Sequence, residues 1–217
     1  MRKKLYIFGY MFVLLALLSA CEIAEPVDQP AAELDVSVSV ADLSADGTAL
    51  VTASFEFNGT PISLTSDVTV ECNGVALQNA FGIYTARVPT ESVGGVYTIT
   101  HKKGDTTAEI KITVPSRPEI TSPKEGDTLK VAEKVTITYT SGNGKFIRAT
   151  ASNNNTSLSG NDQSDTGEFK DFDVSALAPG KGTVGIVRGM DVDPAQNGFK
   201  SVKVSYESGA SVNVTWE

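Results

Sequence analysis

Two thiols, one imidazole and a spread of carboxylates are the groups here that could do chemistry. Cys21, Cys72 and His101 are the only cysteines and the only histidine among 217 residues. That excludes any metal centre or catalytic relay needing several of either. Cys72 ends the run Asp67-Val-Thr-Val-Glu-Cys72, where it shares a strand face with Val68 and Val70. The expectation is a buried thiol acting as a small hydrophobe. A nucleophile would need a base beside it and a lowered pKa, and an intermolecular disulfide is the remaining reading. His101 stands beside Lys102, Lys103 and Gly104, so it is expected solvated, at or near a hairpin tip. A hairpin end holds an imidazole poorly for a relay. No catalytic residue is assigned, no cofactor is implied, and the chain is not read as an enzyme.

The acids suggest a different chemistry. Asp162, Asp165, Glu168, Asp171 and Asp173 crowd one stretch, and their hard oxygens suit Ca²⁺. An EF-hand fails, because Thr166 and Lys170 fall on ligand places, Asp173 replaces the closing Glu, and no helix flanks the loop. Asp162, Asp165 and Glu168 are candidates for a looser site; the alternative is a solvated loop that keeps an edge soluble. Glycan binding would need exposed rings. Most aromatics fall on the apolar phase of a strand, but Tyr84, Phe146, Phe199, Tyr206 and Trp216 face ambiguously, and Tyr84 and Trp216 are the stacking candidates.

Composition narrows the partners. Hydrophobic residues are 41% and charged residues 20%, as in a folded globular chain. The net charge is −8, and without Arg2, Lys3 and Lys4 it falls to −11. Nucleic acid is therefore not an expected partner, since phosphate binding rests on clustered Lys and Arg.

Arg2-Lys-Lys4, an apolar stretch from Leu5 to Leu18 and then Ser19-Ala20 have the layout of a secretory signal, residues 1–20. The apolar run is about 14 residues, short of the ~20 that span a bilayer. Leu18-Ser-Ala-Cys21 resembles the bacterial lipobox. The resemblance implies cleavage before Cys21, a diacylglycerol thioether and an N-acyl chain on it, and a lipid-anchored envelope protein, placed at the outer membrane. Several acyl chains would make that anchoring stable. Residues 21–33, acidic and carrying Pro26 and Pro30, are expected to be a tether. Extended, its 22–33 portion would reach roughly 37 Å.

From Leu34 the pattern has period two: Val36, Val38 and Val40, then Val51, Ala53, Phe55 and Phe57, then further short runs with Asn58-Gly59 and Asn73-Gly74 between them. Pro115-Ser-Arg-Pro118 breaks it, and it restarts through Ile137, Phe146, Phe169, Val184 and Val204. Ser152 to Gly167 reads as a mobile polar loop. The expected fold is all-β: two consecutive antiparallel immunoglobulin-like β-sandwiches, residues 34–115 and 118–217. Gly94-Gly-Val-Tyr-Thr-Ile-Thr100 with Ala108-Glu-Ile-Lys-Ile-Thr-Val114 resembles the ending of bacterial immunoglobulin-like domains. Pro118 to Tyr139, with Leu177-Ala-Pro-Gly180, resembles an immunoglobulin- or fibronectin-III-like domain, though the Tyr expected in its later strands is absent. The lipid, tether and sandwiches together imply a non-catalytic binding or spacer module with an unidentified protein or glycan ligand. The alternative is a glycan-capture lipoprotein of a polysaccharide-uptake system, which this layout resembles. Asp105-Thr-Thr107 and Asp127-Thr-Leu129 also resemble short Asp-Thr O-glycosylation sites of envelope proteins.

Overall fold

The computed structural model describes residues 26–43 and 47–217. The expected signal and Cys21 lie outside the described residues. Within them there is no α-helix, only one 3-10 turn at Ala31–Glu33.

The first sandwich begins with β1 (Pro26–Val27), β2 (Asp35–Asp42), β3 (Thr48–Phe57), β4 (Thr60–Leu64) and β5 (Val68–Cys72). It continues with β6 (Val75–Ala76), β7 (Gln78–Ala80), β8 (Ile83–Pro89), β9 (Val96–Lys103) and β10 (Thr106–Thr113). After the proline break come β11 (Ile120–Ser122), β12 (Thr128–Leu129), β13 (Val135–Tyr139), β14 (Phe146–Asn153), β15 (Ser157–Ser159) and β16 (Glu168–Phe172). The chain closes with β17 (Gly180–Val192), β18 (Ala195–Asn197) and β19 (Ser201–Trp216).

Two cores form where period-two strands bury alternate residues. Val36, Val38 and Val40 of β2 face Val51, Ala53 and Phe55 of β3, and Tyr97, Ile99, Ile110 and Ile112 close the first core from the other sheet. The second core gathers Ile137, Ile147, Phe169, Val184, Ile186 and Trp216. At roughly 1.5–3 kcal/mol per large apolar side chain, such burial is the main term holding each sandwich.

The strand pairing does not stop at the proline break. One sheet runs β1-β4-β3-β2-β19-β17-β14-β15 through both halves of the chain. The front half of β19, from Ser201 opposite Asp35 to Ser208 opposite Asp42, lies parallel to β2. Its back half joins β17 above the second core. β18 pairs with β10. The first core accordingly includes Met190, Phe199, Val204 and Tyr206. A boundary set at residues 115–118 therefore leaves the first sandwich without part of its own core. The reason is visible in the parity of β17 and β19. Val184, Ile186, Arg188 and Met190 share one face of β17, and Val204, Tyr206, Val214 and Trp216 share one face of β19. That face is too long for one core and is buried over two. At ~3.3 Å per residue, β19 is about 53 Å long. Three contacts are parallel rather than antiparallel: β19 with β2, β1 with β4, and β12 with β19.

The amino-terminal segment also differs from a free tether. Pro26 and Val27 pair with Ser63 and Leu64, Ala31 and Leu34 are buried, and Val27 packs on the first core. Val27 before Pro30, and Ala31 and Leu34 after it, give this stretch enough to bury. Only residues 21–25 are left to separate Cys21 from the first strand.

Candidate functional site

Asp42 continues the alternation of Val36, Val38 and Val40 and is therefore carried to the buried phase of β2. Its carboxylate accepts the Tyr206 hydroxyl at 3.0 Å and the Thr90 hydroxyl at 3.2 Å, and it pairs with Arg117 from the proline segment. Arg117 also donates to the Glu91 carbonyl, and the Glu91 N–H donates to the Tyr97 hydroxyl at 2.9 Å. Burial, and then the Asp42 charge, push the Tyr206 phenol up. Burial does the same to Tyr97.

Arg188 stands on the buried phase of β17 where the two cores meet. Its Nε lies 2.8 Å from Asp165, with the side chains 1% and 2% exposed. Its Nη2 donates to the Thr140 carbonyl, and its Nη1 lies 3.5 Å from the Ser116 carbonyl. Asp165 takes the Gly144 N–H at 2.9 Å. Gly142 and Gly144 leave the room: a Cβ at either would stand 2.8 Å from an Arg188 atom.

The Asp42–Arg117 cluster lines a groove of about 460 Å³ between the sandwiches, together with Leu43, Thr90, Thr150 and Ile186, among others. Its two charged groups pair with each other, though the Arg117 Nε is buried without a hydrogen-bond partner. The Asp42 carboxylate has three donors and the guanidinium of Arg117 has acceptors, so the groove is suited to holding a surface or a ligand by shape and hydrogen bonds.

The residues nominated from sequence lie elsewhere. Asp162 pairs with Arg148 at 2.8 Å, Asp165 with Arg188, and Glu168 with Lys170 at 3.0 Å. The structure gives each acid its own cation rather than a common centre, and among the described residues no three metal-ligating side chains come together. The stretch 152–167 is also more ordered than its composition suggests: Asn153 Oδ1 accepts the N–H groups of Asn155 and Thr156, and β15 follows. Tyr84 and Trp216 are not stacking platforms. Tyr84 is buried against Phe55, and its hydroxyl accepts the Leu64 N–H at 2.8 Å. Trp216 is 1% exposed and donates Nε1–H to the Ser152 carbonyl at 2.9 Å. Phe199 and Tyr206 are core residues too, and Phe146 is half-buried with the Arg148 guanidinium over its ring.

His101 is near the tip of the β9–β10 hairpin, as expected, but it is buried rather than solvated. β9 runs on to Lys103, and the ring lies buried between Phe55 and Phe199, with centroids 6.0 and 5.9 Å away. Both ring nitrogens lack a hydrogen-bond partner, and burial lowers the imidazole's pKa. Cys72 is wholly buried and its thiol is pushed up to about 12 by burial, with the Glu91 charge adding to it. Such a thiol is not an activated nucleophile.

Sequence reading missed Asp42, Arg117 and Arg188. Parity would have found two of them: Asp42 keeps the phase of Val36 to Val40, and Arg188 keeps that of Val184 and Ile186.

No protein-family profile matches the chain, and no curated protein matches it. Solved structures similar to parts of it include the following. The fibronectin-III-like modules of Clostridium thermocellum CbhA are 16% identical, with 84% of this chain and 94% of theirs covered and a TM-score of 0.28. The complex of Dpr11 IG1 with DIP-gamma IG+IG2 gives 12% identity, 82% and 99% coverage and a TM-score of 0.27. A titin I-band fragment gives 11%, 87% and 65%, with a TM-score of 0.24. Strand content and the layered sheets set the class: the chain is an all-β protein of sandwich-like sheets.

Proposed function

We propose that this chain is a lipid-anchored envelope protein whose two sandwiches act together as a stiff, non-catalytic binding or spacer module. One observation carries the reading. The β17–β19 ribbon crosses from one core to the other with continuous pairing from Gly180–Trp216 to Val192–Val204. Sandwiches joined only by a linker are expected to move relative to each other. Here bending would break a β-ladder and expose Arg188 and Asp165. The lipobox at Leu18–Cys21 supports the anchor, and the acidic surface suits a solvated envelope protein. Spin labels on the two sandwiches, at Ser66 and Asn154, test the stiffness. A single narrow distance distribution is expected, and a broad one would reject the reading.

The glycan-capture reading retains one observation. A second groove, about 520 Å³, is lined by Asn153, Asn154, Lys181, Thr183, Asn213 and Thr215, which offer the amide and hydroxyl donors that sugars accept. Calorimetric titration with a panel of soluble polysaccharides tests it: heat that disappears in Asn154→Ala would support it, and no heat with any of them would reject it.

A further inference from the structure

Three two-residue turns in the first sandwich share one backbone form, with φ > 0 at both positions. They are Asn58-Gly59 (φ 51 and 77), Asn73-Gly74 (49 and 80) and Phe81-Gly82 (55 and 81). Asn and Gly are the residues that tolerate this conformation. At the third turn a phenylalanine takes the place of the asparagine. A bulky residue there is disfavoured by the backbone. It is disfavoured by solvent as well: Phe81 is 83% exposed and its neighbour Ile83 is 48% exposed. Nothing in the packing of the sandwich calls for an aromatic ring at this point. Gly82 is required instead, since a Cβ would meet the Ile62 carbonyl oxygen at 3.1 Å.

The position of this tip gives it a partner. Gly82 abuts Ile62 and Ser63 of β4, and Ser63 is the register partner of Pro26 on the other side. Phe81 is thus within about two strand spacings, ~10 Å, of the place where the chain enters the fold. β1 runs parallel to β4, so Pro26 is the end of β1 nearer the Asn58-Gly59 turn, at the end of the first sandwich remote from the second. Five residues, 21–25, connect Pro26 to and include Cys21, a reach of at most ~17 Å. Lys103 at this end is engaged by Asp28 and Asp67, and Lys200 by Asp35. Beside these pairs the end exposes the Phe81 and Ile83 side chains and, on the β9–β10 hairpin, Lys102.

We infer that the Phe81-Gly82 tip is a membrane-contact element, seated in the headgroup region of the bilayer that holds the anchor at Cys21. The inference rests on the lipid-anchor reading. Aromatic rings are favoured at that depth. One acyl-anchored cysteine and one inserted ring would together fix the tilt of the sandwiches against the membrane rather than leave them swinging on a tether.

Two measurements separate the inference from the reading beneath it. In cells, labelled palmitate should enter the full chain and be lost in Cys21→Ser. In vitro, residues 21–217 are coupled through Cys21 to a maleimide-bearing phosphatidylethanolamine in phosphatidylcholine vesicles. Buried Cys72 stays unmodified. Phe81→Trp then reports lipid contact over the constant background of buried Trp216. Bromine-labelled acyl chains should quench the added emission about twofold. Val93→Trp, 58% exposed and beside the Gly94–Val114 contact at the opposite end, should be unaffected. Palmitate on Cys21 with equal emission at positions 81 and 93 would overturn the inference alone. No palmitate on Cys21 would overturn the anchor and the inference together.

Discussion

The Arg188 guanidinium and the Asp165 carboxylate meet at 2.8 Å in a place water barely reaches, between two hydrophobic cores. The pair does more than neutralise itself. Through Thr140 and Ser116 the same guanidinium is tied to the end of β13 and to the proline segment. A linker that would otherwise be a hinge is thereby joined to the strand that crosses both sandwiches.

Removing one partner leaves a buried charge with no counter-ion. Asp165→Ala should destabilise the protein by about 3–5 kcal/mol in urea unfolding. The double variant Asp165→Leu with Arg188→Met should recover most of that loss, since an apolar pair of similar volume is often neutral. A double variant as unstable as the single one would mean that the ties to Thr140 and Ser116 matter more than the charge pair. Gly142→Ala should act like a weakened Arg188, because its Cβ would stand 2.8 Å from the guanidinium carbon.

The first sandwich should not fold from its own stretch of chain. A fragment of residues 26–117 lacks Met190, Phe199, Val204 and Tyr206 and leaves one edge of β2 unpaired. Losing four large core side chains, at about 2–5 kcal/mol each, exceeds the stability of a typical domain. The fragment should show no cooperative urea transition, and a peptide of residues 189–209 added in trans should restore one. A fragment that unfolds cooperatively unaided would show that the shared ribbon is an addition to a complete domain.

Alternation made most of this fold legible. Val36 to Val40, Tyr97 to Ile99 and Ile110 to Ile112 show their strands and faces directly. Partner choice was not legible, because Val204 and Tyr206 carry the same pattern whether they pair with β2 or with a strand nearby in sequence. The polar junction stayed hidden for another reason. Asp42 and Arg188 look like surface residues by type, and only their phase within apolar runs shows that they are buried. His101 was misplaced in the same way: it keeps the phase of Tyr97 and Ile99, yet its lysine neighbours suggested solvent. At the nominated calcium residues, composition drew the acids together while the fold gave each a different cation.

His101 should make the protein acid-sensitive. The ring faces Phe55 and Phe199, and its cross-strand neighbours are Val70 and Ala108, so among the described residues no carboxylate pairs with the cation to offset its burial. Burial holds its pKa below the ordinary 6.5. As pH falls, the unfolded chain takes up the proton first. Stability is therefore intact above about pH 6.5 and lost below it, by at most ~1.4 kcal/mol per pH unit for this one group. His101→Phe should abolish the change between pH 7.5 and 5.5 while leaving carboxylate effects near pH 4 in place. An unchanged slope in the variant would assign the sensitivity to other groups.

Phe81 should cost the isolated protein stability. Its φ of 55 is one that asparagine holds comfortably at positions 58 and 73. Phe81→Asn keeps the turn, removes an exposed ring and relieves the backbone, so the variant should be more stable by about 1 kcal/mol. In urea the midpoint should rise with the slope unchanged, because no buried surface is involved. The same variant, coupled to vesicles through Cys21, should lose a preferred orientation that the parent holds, read as depolarised emission from a dye at Asn154. A gain in stability together with a loss of orientation would explain why a strained aromatic stands where the other two turns carry asparagine. A loss of stability instead would mean that the ring packs on Ile83 or β4 strongly enough to offset its backbone, and would leave the tip a structural element of the first sandwich.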